Sequence, residues 1–301
     1  MIARFVVSLR IWIGILLAAG GVGCLSQEDL PLGGERTVVR VEGSDTLVNA
    51  AQAWAEQYHH EQPAVSVQVL GGGSGVGIAS LIDGNCDIAN ASREMKPDEA
   101  ERAAATRGAA PVETIVALDA LAVLVHKDNP LDWISVDQLA EIFGEDGSFT
   151  RWSQLGVKGL PERYDKIIRV GRQNSSGTYA FFREIVLGKK RDYKLGSIDA
   201  HGSKDGVLLI EKTPGAIGYS GMGYITEGVK PLKISVRRGE AAIAPTLQNA
   251  RDATYPLTRS LQLYTIGEPD GAVARYMQWI LSPKGQSIVR DQGYVPVSDY
   301  E

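Results

Sequence analysis

The stretch QVLGGGSGVGIASLIDG, residues Gln68–Gly84, sets five glycines within the seven positions from Gly71 to Gly77 and then runs into an apolar, helix-like segment. Just before it, Val65–Leu70 alternates apolar and polar residues as a half-buried strand does. Val76–Asp83 has the spacing of a helix. Upstream, a β-branched run at Thr37–Val41 precedes a helical stretch, Leu47–Tyr58. Its Leu47, Ala50, Ala51, Trp54 and Tyr58 fall on one face, and Gln62-Pro63 ends it. Trp54 and Tyr58 read as core. The resulting β-α-β-α order defines an α/β protein.

Downstream, IVALDALAVLVH (Ile115–His126) and YPLTRSLQLYT (Tyr255–Thr265) are strongly strand-like, and two such segments suit crossings between lobes. Between them lie a helix within DWISVDQLAEIFGED, the strand KIIRV, a helix after Ser176 and the segment GAIGYSGMGYI. A helix over Val273–Leu281 follows the second. The chain has no internal repeat, low-complexity tract or charge run.

With 301 residues, 44% hydrophobic and 22% charged, the chain can bury a sizeable core. Its start is different. Arg4 and Arg10 precede an apolar run from Ile11 that ends in small residues before Cys24, the pattern of a secretory signal. That run falls short of the roughly 20 residues a membrane-spanning helix needs. A cysteine in this position resembles the lipidated cysteine of bacterial lipoproteins, although Gly21 stands where such signals usually carry leucine. Residues 1–23 are therefore expected to be a signal peptide, Cys24 the lipid-bearing terminus and 24–35 a tether. Cys86 is then left single in an apolar setting, so no disulfide framework is implied. The net charge is −5, and losing Arg4 and Arg10 makes the mature chain more negative. Nucleic acid is excluded as a partner on that ground, and any bound anion must be held by local geometry.

The glycine loop is not a nucleotide site. Counting six positions from Gly71 or Gly73 reaches Val76 or Ile78 where a dinucleotide fingerprint needs glycine, and no Gly-Lys-Ser/Thr closes it as a P-loop. What remains is a bare backbone able to turn N–H groups inward just ahead of a helix N-terminus, which suits a small oxyanion. A glycine-rich turn that packs closely on a neighbour is the plainer alternative. A second site of this kind is VGRQNSSGTYAFF, where a strand delivers Arg172 and Ser175, Ser176, Gly177 and Thr178 open a helix. VEGSDTL offers Ser44, Asp45 and Thr46, and ANASREM offers Ser92 and Arg93. Four strand ends bearing hydroxyls, donors or arginine are what a buried tetrahedral anion requires. At roughly 1.5–3 kcal/mol per charge-assisted bond, a handful supplies the ~8 kcal/mol of micromolar affinity.

Taken together, GSDT, GGGSGVGI followed by DIANASRE, GRQNSSGTY, PGAIGYS, YPLTRSLQLYT and SPKGQSIVRDQGYVPV, in that order from Val38 to Val297, resemble the phosphate-binding components of bacterial ABC phosphate importers. The resemblance implies a two-lobed, periplasmic-binding-protein-like (type II) fold with crossing hinge strands. Lobe 1 would be residues 36–117 plus 256–301, and lobe 2 residues 118–255. It implies inorganic phosphate as ligand, ABC permease membrane subunits as partners, membrane attachment through the lipid anchor and a monomer outside the cytoplasm. Phosphate contacts would fall on Ser44, Thr46, Ser74, Gly75, Arg93, Arg172, Ser176, Gly177 and Thr178. Some members carry an aspartate where this chain has Arg93, and it accepts the proton of monohydrogen phosphate there. Asp45 is the candidate to replace that acceptor, with helix capping as its plainer role.

Three other readings stay open: a trap for sulfate, molybdate or tungstate, a phosphate sensor, and a secreted phosphatase or hydrolase. Against catalysis, His59, His60, His126 and His201 show no metal-ligand spacing, and Ser74 lacks the closing glycine of a nucleophile elbow. No cofactor, metal or catalytic residue is expected.

Overall fold

A computed structural model of the chain describes residues 37–188 and 190–298. The expected signal peptide, Cys24 and the tether lie outside the described residues. In chain order the elements are β1 (Thr37–Gly43), α1 (Val48–Glu61), β2 (Val65–Leu70), α2 (Ser74–Asp83), β3 (Ile88–Ala91), α3 (Pro97–Arg107), β4 (Pro111–His126), β5 (Trp133–Ser135), α4 (Val136–Phe143), β6 (Ile168–Arg172) and α5 (Gly177–Phe182). After a π-helical turn at Arg183–Leu187 come β7 (Ile198–Ala200), α6 (Ser203–Glu211), β8 (Ala216–Gly221), β9 (Val229–Pro231), β10 (Lys233–Ser235), α7 (Leu247–Arg251), β11 (Thr258–Ile266), α8 (Gly271–Ile280), α9 (Pro283–Asp291) and β12 (Val295–Pro296). The β-α-β-α opening read from the pattern is present, with α1 running one turn beyond Tyr58.

One curled sheet runs β2-β1-β3-β11-β4-β8-β6-β7, with β9 and β12 also pairing β4. In its first half β1 lies parallel to β2 and β3, and β11 runs antiparallel to β3 and β4. In its second half β6 lies parallel to β7 and β8. Strand β4 belongs to both: it pairs β11 as far as Ala120 and β8 from Leu121 onward. The chain returns along it at Tyr255–Leu257, where the Leu121 N–H donates to Leu257 O at 2.9 Å. Such a 16-residue strand, apolar on both faces along its second part, is what a segment covered on both sides must be.

The cores divide at the same place. Val116 and Ala117 pack with Trp54, Tyr58, Leu261 and Tyr276, whereas Ala120 and Leu121 pack with Phe143, Trp152, Phe182 and Tyr219. Trp54 and Tyr58 are buried as expected, at roughly 1.5–3 kcal/mol for each large side chain removed from water. Phe182 stacks on Tyr219 with ring centroids 3.9 Å apart, which fixes α5 over the second half. Cys86 is a free, buried thiol pushed up to about 11 by burial. Among the described residues no helix is long and apolar enough to cross a membrane.

Candidate functional site

Parallel strands end on the same side of a sheet, so β1, β2 and β3 deliver their following loops to one edge of the first half, and β6, which runs in the opposite sense in the second half, brings the loop after it to meet them from the other side. After β1, the Ser44 hydroxyl accepts from the Thr46 N–H at 3.2 Å, and Leu47 rather than Asp45 stands at the start of α1 without a side-chain cap. Ser74 opens α2, and its Oγ accepts from the Ser92 N–H at 3.0 Å, with the Ser92 hydroxyl 3.3 Å away. From the second half, Ser176 caps α5 by accepting from the Tyr179 N–H. Thr178 then meets Thr46, hydroxyl to hydroxyl, at 2.9 Å. Ser44, Thr46, Ser74, Ser92 and Thr178 are each no more than 2% exposed.

Two buried arginines flank these hydroxyls. The Arg172 guanidinium, at the end of β6, donates to Asp45 Oδ2 at 2.8 Å, Ser203 Oγ at 2.9 Å and the His201 carbonyl at 3.3 Å. Its Nε is buried and has no partner among the described residues. Burial lowers the Arg172 pKa, and the nearby Asp45 charge opposes that shift. Arg259, in β11, donates to Asp119 Oδ2 through Nε at 3.0 Å and Nη2 at 2.8 Å. It also donates to Thr46 Oγ1, Thr178 Oγ1 and the Ser92 carbonyl. The Tyr224 hydroxyl seals the region by donating to the Asp45 carbonyl at 2.6 Å, and burial raises its pKa above the usual phenol range.

The structure thus gathers Ser44, Asp45, Thr46, Ser74, Arg172, Ser176, Gly177 and Thr178, and it arranges Arg93, the glycine loop and Asp45 differently from the expectation. Arg93 does not face the hydroxyls. Its guanidinium is held by both oxygens of Glu99 at 2.7 Å each, and it also donates to the Glu94 carbonyl. The pair forms because Glu99, drawn back across the first turn of α3 by the Lys96 N–H, places its carboxylate beside Arg93. Burial would raise the Glu99 carboxyl, but the Arg93 hydrogen bonds overcome it and leave the group below the usual carboxylate range.

Most N–H groups of the glycine loop serve the protein itself: Gly72 donates to Asp45 Oδ1, Gly73 to Gly43 O, Gly75 to Ser175 O and Val76 to Gly73 O. The glycines instead allow close approach. Gly73 holds φ 98°, and a Cβ there would lie 2.6 Å from Ser175 O. Asp45, finally, does not cap the helix: its Oδ1 accepts from the Gly72 N–H and its Oδ2 from Arg172, which leaves each oxygen a further lone pair.

Sequence reading missed Arg259 and Asp119. Asp119 sits in a segment read only as a strand, and Arg259 in one read as a strand and a family motif, neither as a ligand contact. Between Arg259 and Arg93 a groove of about 1030 Å³ opens to solvent, with Tyr179 and Phe181 on its wall. No hydrogen bond links a histidine to the site hydroxyls among the described residues, and no group of three or more potential metal ligands occurs among them.

Two half-sheets joined through one strand, with hydroxyls from both meeting over buried arginines, define a solute-binding protein of the periplasmic type. A family profile described as a PBP superfamily domain matches residues 31–284. The chain is 35% identical over 266 residues to the phosphate-binding protein PstS of Pseudomonas aeruginosa, covering 85% of this chain and 81% of that one. It is 32% identical to the phosphate-binding protein PstS of Bacillus subtilis, covering 86% and 80%. Among solved structures it resembles a putative phosphate ABC transporter substrate-binding protein with bound phosphate from Clostridium perfringens. That match has a TM-score of 0.76, 27% identity and coverage of 87% of this chain and all of the other. The chain belongs to the PBP superfamily, and within it to the family of phosphate-binding proteins of ABC transporters.

Proposed function

We propose that this protein captures inorganic phosphate among these hydroxyls and delivers it to the membrane subunits of an ABC permease. One observation carries the reading: five buried hydroxyls from separate strand ends converge, with a buried, unpartnered arginine Nε beside them. A tetrahedral anion stripped of water needs a partner for nearly every lone pair, and a hydroxyl can donate to a bare phosphate oxygen or accept from a protonated one. The names of the relatives, phosphate-binding protein and phosphate ABC transporter substrate-binding protein, support the same ligand.

Capture is by hinge closure, residues 36–117 plus 256–301 closing on 118–255. The change of core between Ala117 and Ala120 and the contacts Thr46–Thr178 and Gly75–Ser175 support that division. The protein works outside the cytoplasm as a monomer, attached through a lipid on Cys24. It binds and releases without turnover: Ser74 Oγ is bonded to Ser92, not to a base. Calorimetry with phosphate and with sulfate tests the reading, together with hydrolysis of a chromogenic phosphate ester. Micromolar or tighter phosphate binding without ester turnover is expected. Failure to bind phosphate at millimolar concentration refutes it, tighter sulfate binding reassigns the anion, and turnover makes the protein an enzyme.

A further inference from the structure

Arg259 and Asp119 have no counterpart among the residues that the family resemblance implies. They stand directly opposite each other in the β11–β4 pairing. Arg259 is 5% exposed and Asp119 fully buried. The carboxylate takes the outer edge of the guanidinium through Oδ2, while its Oδ1 accepts from the Met222 N–H at 3.1 Å. The Phe181 ring covers one face of the guanidinium, its centroid 5.5 Å from Cζ. With that edge and that face fixed, the remaining N–H groups point at three oxygens, the Ser92 carbonyl, bonded to Nη1 at 3.1 Å, and two hydroxyls. Nη2 donates to Thr46 Oγ1 at 3.3 Å and Nη1 to Thr178 Oγ1 at 3.1 Å, and those oxygens are 2.9 Å apart. A guanidinium fork facing a close pair of oxygens is the geometry with which arginine grips an oxyanion. Arg93, by contrast, spends its own fork on Glu99.

We propose that Arg259 is the second cation of the anion site, gripping two phosphate oxygens through Nη1 and Nη2, and that Asp119 is the positioning residue that aims it. This rests on the phosphate reading above. The open groove that Arg259 borders gives the anion a route to this fork. Asp119 also balances the charge: an unpaired guanidinium buried this deeply is strongly disfavoured, and with the carboxylate on its far edge the near edge is left to the two threonine hydroxyls, neutral partners that a phosphate oxygen can displace.

The test uses the full chain, with phosphate calorimetry at about pH 5.5 and about pH 8, on either side of the second ionisation of inorganic phosphate. Ligand-free melting temperatures serve as the control. Arg259→Lys keeps the charge and loses the fork, and is expected to bind about tenfold more weakly. The double variant Arg259→Met/Asp119→Asn removes both buried charges together, which proteins often tolerate, and is expected to lose about a hundredfold at the higher pH. Its loss at the lower pH is smaller, because a dianion loses more than a monoanion when a cation is removed. Wild-type affinity in either variant overturns the proposal, and so does an equal loss at both pH values, the mark of a merely structural role. If the double variant does not fold, Arg259→Lys decides. Wild-type protein that binds no phosphate overturns the function itself, a result distinguishable because it precedes any substitution.

Discussion

Gly177→Ala is the sharpest probe of how the two halves meet. An added Cβ would lie 2.3 Å from Ser74 Oγ and 2.6 Å from Ser92 Oγ, with Ser74 Cβ at 3.0 Å. Rotating Ser74 away gives little relief: it breaks the bond from the Ser92 N–H and leaves the Cβ contact tight. Ser74 and Ser92 belong to the first half and Gly177 to the second, so the clash exists only when the halves are together. Overpacking of this kind costs about 1–3 kcal/mol, and the closed state alone bears it. Phosphate affinity should fall about 5- to 150-fold. The open protein should lose no stability, since alanine is a better helix residue than glycine by about 1 kcal/mol. Calorimetry reads the affinity, and small-angle scattering at saturating phosphate reads the compaction. Wild-type affinity together with wild-type compaction in Gly177→Ala would refute the closure geometry.

Arg93→Ala should bind phosphate within about threefold of wild type while melting a few degrees lower, because it breaks a mostly buried ion pair worth about 1–3 kcal/mol and touches no site hydroxyl; a loss of affinity beyond about tenfold would return Arg93 to the site. The Glu99 carboxyl is depressed in the folded protein, so its stabilising effect is full above the ordinary value of about 4.3 and is lost as pH falls through the lower folded value. The melting-temperature gap between wild type and Glu99→Gln should therefore be constant at neutral pH and shrink below about pH 4, and a gap that widens on acidification contradicts the pairing. Asp45→Asn should weaken phosphate and sulfate alike, since it acts by loosening Arg172. A loss confined to phosphate, measured by calorimetry with both anions, would make Asp45 the proton acceptor after all.

The early β-α-β-α order was legible because hydrophobic periodicity there is undiluted: Trp54 and Tyr58 lie on the inward face of α1, and the glycine loop punctuates β2 and α2. The loops were legible as polar strand ends but not their internal bonding. Nothing local says that Glu99 will claim Arg93 or that Ser175 will claim the Gly75 N–H, because these partners meet only in three dimensions. Arg259 and Asp119 did leave a trace. Arg259 shares the inward parity of β11 with Leu261 and Leu263, and Asp119 interrupts the apolar run from Ile115 to Val125 in β4. A base and an acid at inward positions of buried strands are stable there as partners. That inference needs the two strands to be neighbours, which periodicity does not reveal.

The two buried ion pairs differ in a way that orders the capture of the ligand. Asp119 and Arg259 come from adjacent, paired strands, so their bond needs no movement of one half against the other. Asp45 and Arg172 come from the loop after β1 and the end of β6, on opposite halves, so theirs forms only as the halves approach. On the proposal that Arg259 grips the anion, an arriving phosphate would meet one cation already aimed, beside Thr46, Ser74 and Ser92, and would recruit the second with Thr178 on closing. Because each arginine keeps its own carboxylate, the proposed closure would bury no uncompensated cation, and the free energy of phosphate binding would go to drawing the halves together rather than to quenching stray charge.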